Sequence, residues 1–375
     1  MAYVAIQGGE KAIDEAARLN EFLRTRQGAS GSPLGVEDIK HQLCQLTSRI
    51  MSESGLHHPD LAALALKQCL GDPLEASFAL RAYRSTKQRT RETSPHDTSA
   101  MRVIRRISAA FRDVPGGQML GPTTDYSLRL LRLDLMDESD EAFQETARAW
   151  LDDLPEDEAA TFPKVLGMLR ERGLLAAAEA SDETPLDVTR EPLVFPAPRS
   201  AALQVMARAE TGSLLMLAYS NMRGFGEVHP AVGELRVGYL PVALPHPVTG
   251  EPVEAGEVLM TECEIVAMFE AAEDAEPMFT VGYGACFGHN ETKAISMAVL
   301  DRALQQGRSR PPMHPSEDEE FVLLHVDGVD SMGFCNHYKM PHYVTFQSDM
   351  DRLETAQVKS RAARIARKRE TEHSG

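Results

Sequence analysis

The spacing of apolar residues changes from a helical to a strand-like pattern near the middle of the chain. Ile39, Leu43, Leu46 and Ile50 recur at intervals of three and four residues, which is the pattern of one helix face. Later, the segment 235–244 (LRVGYLPVAL) carries β-branched and aromatic residues at short range, as a buried strand does. Helices followed by strands predict an α+β fold, with a helical N-terminal half and a mixed α/β C-terminal half.

The same patterns suggest the domain limits. We predict a mainly helical domain over residues 1–150 and an acidic, proline-bearing connector over 151–200. A mixed α/β domain that holds the candidate site follows over 201–350, and a charged helix and tail over 351–375. Within the third segment, residues 279–287 and 320–326 are predicted strands, and Asn290 is predicted to cap a helix over 291–304.

Composition excludes several classes of protein. No basic region followed by an apolar run opens the chain, and no apolar stretch of about 18 residues occurs, so we expect a cytoplasmic protein without a membrane span. The net charge of −17 argues against general nucleic-acid binding. Five scattered cysteines without a CxxC spacing argue against an iron–sulfur cluster held by this chain alone.

Two histidines near the C-terminus form the clearest candidate metal site. His337 and His342 flank Pro341 in the stretch GFCNHYKMPHYVTF, and the proline prevents one continuous helix through both. Two imidazoles on such a loop suit a metal ion or phosphate oxygens, with His325 as a possible third ligand. The alternative is a pair of structural histidines with satisfied hydrogen bonds.

A basic segment followed by glycines is the candidate phosphate-binding region. Residues 101–135 carry six arginines against three aspartates, and the stretch 115–126 reads PGGQMLGPTTDY, with Gly116 and Gly117 at its start. Glycine lets backbone amides approach a phosphate, and arginine can fork to its oxygens. The alternative is an ordinary turn beside a solvated basic face.

Two glutamates stand two residues apart in the stretch MTECE. On a strand, Glu262 and Glu264 would share one face, whereas on a helix they would diverge. Paired carboxylates suit the stabilisation of a positive, oxocarbenium-like centre or the protonation of a leaving group. Surface charge is the alternative interpretation.

Long strings of the sequence resemble the PhnI subunit family of the bacterial carbon–phosphorus lyase core complex. They include YVAIQGGEKAID (3–14), RRISAAFRDVPGGQMLGPTTDY (105–126), LAYSNMRGFGEVHPAVGELRVGY (217–239) and HYKMPHY (337–343). The acidic connector and the basic tail resemble the family least.

The resemblance implies a glycosyl-transfer reaction. Subunits of this kind, with PhnG, PhnH and PhnL, displace the purine of ATP or GTP, bound with Mg²⁺, by an alkylphosphonate to give a ribose 1-alkylphosphonate 5-triphosphate. Alone, such a subunit is expected to act as a purine nucleoside triphosphate nucleosidase. The resemblance also implies a zinc ion at the histidine pair, at the boundary with the radical subunit PhnJ.

For this reaction we expect Glu262 or Glu264 to stabilise the reacting sugar. The residues expected to hold the triphosphate are Lys67, Arg102, Arg105, Arg106, Gly116 and Gly117. Two alternatives stay open: a non-catalytic scaffold that contributes only the histidine pair to a shared metal site, and a zinc hydrolase that uses His325, His337 and His342.

Overall fold

A computed structural model describes residues 9–26, 31–151, 161–175, 184–225, 229–267 and 276–373. The chain divides into two compact units, one comprising Leu34–Val329 and the other comprising Met1–Pro33 with Asp330–Gly375. The predicted domain limits divide the chain differently, and they stay a prediction.

Four short helices open the larger unit: α2 (Val36–Gln42), α3 (Cys44–Ser54), α4 (Pro59–Gln68) and α5 (Pro73–Ser85). Their ends follow local sequence signals. Gly55 ends α3 in the left-handed region at φ 65°, and the Asp72 side chain caps α5 by accepting hydrogen bonds from two backbone amides. The apolar faces meet in a core that includes Ile39, Ile50 and Leu66.

A four-stranded antiparallel sheet forms the centre of the larger unit, in the order β1 (Arg102–Ile107), β2 (Ala231–Pro245), β3 (Pro252–Ala267) and β4 (Thr280–Phe287). The long hairpin β2–β3 supplies the two central strands. The predicted α+β class is confirmed, and the arginine-rich segment after residue 101 starts on the edge strand β1.

One face of the sheet is apolar and packs against α10 (Glu291–Ser309). Cys263 and Ile265 point to this side, and two glycines of β4 let the helix approach the strand closely. A Cβ added at Gly282 or Gly284 would lie 2.0 or 2.1 Å from a carbonyl oxygen of α10. Side chains alternate along a strand. The two residues next to Cys263, Glu262 and Glu264, therefore point to the opposite face of the sheet.

Five further helices lie wholly within the larger unit. They are α6 (Asp140–Leu151), α7 (Gly167–Glu171), α8 (Arg199–Arg208), α9 (Thr211–Ser220) and α11 (Glu319–His325). The last one corrects the strand predicted over 320–326. Asp318 accepts a hydrogen bond from the amide of Phe321 and so starts a helix, which a short apolar run does not distinguish from a strand.

The second unit contains α1 (Gly9–Thr25), α13 (Tyr343–His373) and most of α12 (Gly328–His337). The segment predicted as a charged helix and tail, 351–375, overlaps α13, which is 31 residues long, begins at Tyr343 and has no buried side chain. Among the described residues, no helix has both the length and the apolar character that a bilayer crossing requires.

Candidate functional site

Glu262 and Glu264 lie on β3, so their side chains share one face of the sheet, as the strand interpretation predicts. Glu262 is the centre of a buried polar network: it accepts hydrogen bonds from Thr98 (2.6 Å), Lys164 (2.5 Å) and Tyr283 (2.8 Å). Glu264 lies 3.7 Å from the same lysine nitrogen. Lys164 therefore bridges the two carboxylates.

The environments of the two carboxylates push their pKa values apart. Burial works to raise the pKa of Glu262, but the charge and hydrogen bond of Lys164, with Thr98 and Arg236, outweigh burial and lower it. Burial is also the largest influence on Glu264, where it raises the pKa more than the positive charge of Lys164 lowers it. The negative charge of Glu262 raises the pKa of Glu264 further. Glu262 is the ionised member and Glu264 the member that holds a proton to higher pH.

This carboxylate pair is nearly closed to solvent. Glu262 is 1% exposed and Glu264 8% exposed, and they point away from α10. The Oε2 atom of Glu264 has no hydrogen-bond partner within the described part of the chain.

Arg106 also lies on this face, where its guanidinium serves internal contacts. Its Nε donates to Glu234 at 2.6 Å, and its two terminal nitrogens donate to the carbonyls of Pro115, Gly117 and Pro163 at 2.6, 2.9 and 2.9 Å. Both Arg106 and Glu234 are 1% exposed. The predicted phosphate ligand is thus engaged in holding a loop to the sheet.

The two glycines after this strand shape that loop. Gly116 and Gly117 have φ values of 80° and 81°, a region that favours glycine, and a Cβ added at Gly116 would lie 2.4 Å from the ring of Phe162. The carbonyl of Gly117 faces the Arg106 guanidinium. The glycines allow the backbone to wrap around a buried arginine.

The remaining predicted phosphate ligands lie on two different elements, β1 and α4, and the two arginines on β1 have separate partners. Arg102 pairs with Glu257 at 3.1 Å and stacks over the ring of Tyr239. Arg105, 1% exposed, points to the α10 side of the sheet. Lys67 lies in the last turn of α4. The structure therefore does not bring the predicted set together as a single phosphate cradle.

His337 and His342 lie close together; His337 is half-buried and His342 is exposed. Their ring centroids are 5.2 Å apart. The Nδ1 atom of His337 lies 2.5 Å from the carbonyl oxygen of Phe334, and that of His342 lies 2.6 Å from the carbonyl oxygen of Met340. Because a carbonyl only accepts, each neutral ring carries its proton on Nδ1 and leaves the Nε2 lone pair available.

The geometry of this histidine pair fits two zinc ligands. With Zn–N bonds of roughly 2.0–2.1 Å and a near-tetrahedral angle, two Nε2-ligating rings have centroids about 5 Å apart. Within the described residues, no cluster of three or more His, Cys, Asp or Glu side chains is placed to hold a metal. A tetrahedral zinc ion held by these two Nε2 atoms would need its remaining ligands from other groups; His325, the possible third ligand, lies on α11 of the larger unit.

A polar cavity of about 710 Å³ lies in the larger unit, on the α10 side of the sheet. It is lined by α3 residues such as Arg49, by the loop 122–125 with Arg129, and by the first turns of α10 with the preceding His289. The loop is the GPTTDY end of the glycine-bearing stretch. The volume lies within the range of roughly 300–1,000 Å³ that small-molecule sites occupy.

Most charges around the cavity are paired. Arg105, behind the cavity wall, forms ion pairs with Asp125 and Glu291, and Arg49 forms ion pairs with Glu53 and Glu210. Burial lowers the pKa of Lys293 to about 8. Arg129 differs, since it forms no ion pair with any described residue and its backbone has a φ of 53°, which is uncommon outside glycine.

The cavity also contains a histidine–carboxylate pair. His289 Nε2 lies 2.8 Å from Glu291 Oε1, and Arg105 Nε lies 2.6 Å from the same oxygen. Burial works to raise the pKa of Glu291, but the hydrogen bonds from His289 and Arg105 outweigh it and lower the pKa. Sequence reasoning missed this pair because it assigned the stretch GHNETK only a helix cap. Asn290 occupies the N-cap position of α10, but its side chain makes no capping hydrogen bond and instead donates to the carbonyls of Ser48 and Phe287.

Comparisons with known proteins agree on one family. The model of the family "Bacterial phosphonate metabolism protein (PhnI)" matches residues 2–360. The chain is 65% identical to a putative C-P lyase subunit protein, HtxH, of Stutzerimonas stutzeri, over 96% of this chain and 98% of that protein.

Two further relatives are named α-D-ribose 1-methylphosphonate 5-triphosphate synthase subunit PhnI. The protein of Escherichia coli is 45% identical over 95% of this chain and 98% of its own length. That of Rhizobium meliloti is 41% identical over 93% of each chain. The chain belongs to the PhnI family of bacterial phosphonate metabolism proteins.

Proposed function

We propose that this chain is the subunit of a ribose 1-alkylphosphonate 5-triphosphate synthase that displaces the purine of ATP or GTP by an alkylphosphonate. In the absence of phosphonate, water takes its place, and the chain acts as a purine nucleoside triphosphate nucleosidase. The family membership and the names of the two PhnI relatives support the reaction. The observation that carries the proposal for the site is the polar cavity of about 710 Å³.

The chemistry sets three requirements for such a site. Cleavage of an N-glycosidic bond builds positive charge on the sugar, places negative charge on the departing base, and leaves the triphosphate to be held throughout. In the cavity, Glu291 is an ionised carboxylate, His289 is a proton-transfer group, and Arg129 is a cation available to the triphosphate. A triphosphate enters as its Mg²⁺ complex, which reduces the charge to be bound.

The pair Glu262 and Glu264 remains the catalytic prediction from sequence. Its opposed pKa shifts are the pattern of an acid and an ionised carboxylate that share one site. The burial of the pair, and its position on the face opposite α10, favour a structural role in which the two glutamates stabilise the packing of neighbouring segments against the sheet. The two assignments are separated by comparing Glu262→Gln and Glu264→Gln with variants in the cavity.

We further propose that His337 and His342 bind zinc through their Nε2 atoms. The 5.2 Å centroid separation and the two Nδ1 contacts to backbone carbonyls support this assignment. A zinc ion bound there would orient groups from two proteins, because the remaining ligands would have to come from outside the described part of this chain. A neighbouring subunit of the PhnJ kind is the expected donor.

Incubation with ATP, first of the chain alone and then of the assembled complex, tests the proposal directly. We expect free adenine together with ribose 5-triphosphate from the chain alone, and the phosphonate ester when methylphosphonate and subunits of the PhnG, PhnH and PhnL kinds are present. Release of inorganic phosphate without adenine would instead indicate a hydrolase. A chelator added to either reaction shows whether turnover needs a tightly bound metal.

A scaffold role is the second candidate function. The histidine pair favours it, because two ligands alone leave a metal site for a partner to complete. A scaffold would leave ATP intact under every condition, yet it would still be required for zinc retention in the assembled complex.

A further inference from the structure

His289 and Glu291 form a closely coupled pair at the start of α10, and both line the polar cavity. Their side chains are 20% and 18% exposed. They are therefore shielded from bulk water but accessible to a molecule in the cavity.

The pair is anchored from behind by a buried arginine. Arg105, on β1, contacts the same Glu291 oxygen that His289 contacts, and its other nitrogens bond to the Leu120 carbonyl and to Asp125. Arg105 is 1% exposed and cannot move away. The arrangement fixes the carboxylate, and the carboxylate in turn fixes the imidazole.

The hydrogen bond to Glu291 also determines which ring nitrogen of His289 is available. An ionised carboxylate only accepts, so the Nε2 atom of a neutral His289 carries the proton, and its Nδ1 atom carries the lone pair. No partner for this Nδ1 atom occurs among the described residues. The free nitrogen belongs to a side chain that lines the cavity, where a substrate group would meet it.

We propose that His289 is the acid–base catalyst of purine displacement, with Glu291 as the residue that positions it. This inference rests on the function proposed above and names the group that transfers the proton. Neither residue was predicted from the sequence as part of the site.

The proton balance in the nucleosidase reaction is complete. A water oxygen forms a bond to the anomeric carbon while the bond from that carbon to the purine nitrogen breaks. His289 Nδ1 takes one proton from the water, and the resulting imidazolium gives a proton to the departing purine anion. The products are ribose 5-triphosphate and neutral purine, and His289 returns to its starting state. When a phosphonate monoanion attacks, its acidic proton takes the same route.

The test compares four single variants by steady-state kinetics of adenine release from MgATP. His289→Gln is expected to lower kcat by about 10²–10⁴-fold, the usual contribution of a positioned acid–base group. Glu291→Gln is expected to lower kcat less, because a glutamine oxygen still accepts the Nε2 hydrogen. Arg129→Met is expected to raise KM with little change in kcat, since it weakens binding in the ground and transition states alike.

His41→Gln is the matched control. His41 also pairs with a glutamate, Glu37, at 3.3 Å, but on an exposed helix face, and it does not line the cavity. Its kinetics should equal those of the unaltered chain, and the urea midpoint of each variant reports whether it is folded.

The pH profile gives a readout that a merely structural role would not change. An acid–base role for His289 gives the pH dependence of kcat a limb that His289→Gln should lack. If the unaltered chain releases adenine but folded His289→Gln turns over at an undiminished rate with the same pH profile, the inference fails and the proposed function stands. If the unaltered complex releases no adenine at all, the proposed function itself fails.

Discussion

Replacement of Arg106 by methionine tests whether this arginine holds the fold together. The substitution keeps most of the side-chain volume but removes the charge and all five N–H donors. It leaves Glu234, which is 1% exposed, with only its hydrogen bond from the amide of Val165, at 3.0 Å. The carbonyls of Pro115, Gly117 and Pro163 lose their donors in the same change.

The expected loss of stability follows from these contacts. Removal of one partner from a buried ion pair costs about 3–5 kcal/mol, chiefly because the remaining charge stays buried without compensation. With a urea m-value of about 3 kcal/mol/M, this loss corresponds to a decrease of the unfolding midpoint by about 1–2 M. Arg106→Lys retains the charge but loses the fork of donors, so its midpoint should fall by less.

Urea titration followed by circular dichroism measures these midpoints. Arg132→Met is the control, since Arg132 belongs to an exposed ion pair with Asp134 and its loss should leave the midpoint unchanged. If Arg106→Met were as stable as the control and instead raised KM for ATP, Arg106 would be a triphosphate ligand, and the structural role argued for it would be wrong.

Three further predictions concern other parts of the chain. Glu264→Gln should raise the urea midpoint near pH 7 and progressively less towards pH 5. A carboxyl whose pKa is raised on folding reduces stability as the pH rises from its unfolded pKa to its folded pKa. The glutamine amide does not ionise, so the variant lacks this loss of stability. An unchanged or lower midpoint of the variant at pH 7 would contradict the prediction. Gly284→Ala should lower the free energy of unfolding by about 1–3 kcal/mol, because its Cβ would meet the α10 backbone at 2.1 Å, whereas Gly167→Ala, with open space around it, should not. His337→Ala should reduce the zinc content of the purified complex, measured by elemental analysis, without shifting the thermal midpoint; unchanged zinc would remove the metal assignment of this histidine.

The fold class could be predicted because periodic patterns report local geometry. The change from helical to strand-like spacing gives the α+β class, and Gly55 and Asp72 mark helix ends by their own backbone and hydrogen-bonding preferences. The segment 320–326 was predicted wrongly as a strand for a related reason. Its five apolar residues suit either a strand or a helix, and the hydrogen bond to the Asp318 side chain decides the outcome.

The site was less predictable because it depends on long-range pairing. The placement of Glu262 and Glu264 on one face followed from the strand interpretation, but their burial depends on Lys164, nearly a hundred residues earlier in the chain. The same limit applies to Arg106, whose partner Glu234 lies on the neighbouring strand. A cluster of arginines in sequence does not reveal which of them are neutralised in the fold.

The cavity shows this limit most clearly. Its walls come from α3, from the loop after β1, from the first residue of α9 and from the start of α10, four segments that no local pattern associates. The pairing of His289 with Glu291, two residues apart, depends on the turn before the helix and on Arg105 from the edge strand.

Phosphorus NMR of the reconstituted reaction with MgATP and methylphosphonate tests the central claim most directly. The account predicts that adenine is released, that the methylphosphonate signal is replaced by that of an ester, and that the three phosphates remain a single triphosphate chain. Growth of an inorganic phosphate signal, with adenine still attached to its ribose and methylphosphonate unchanged, would contradict it.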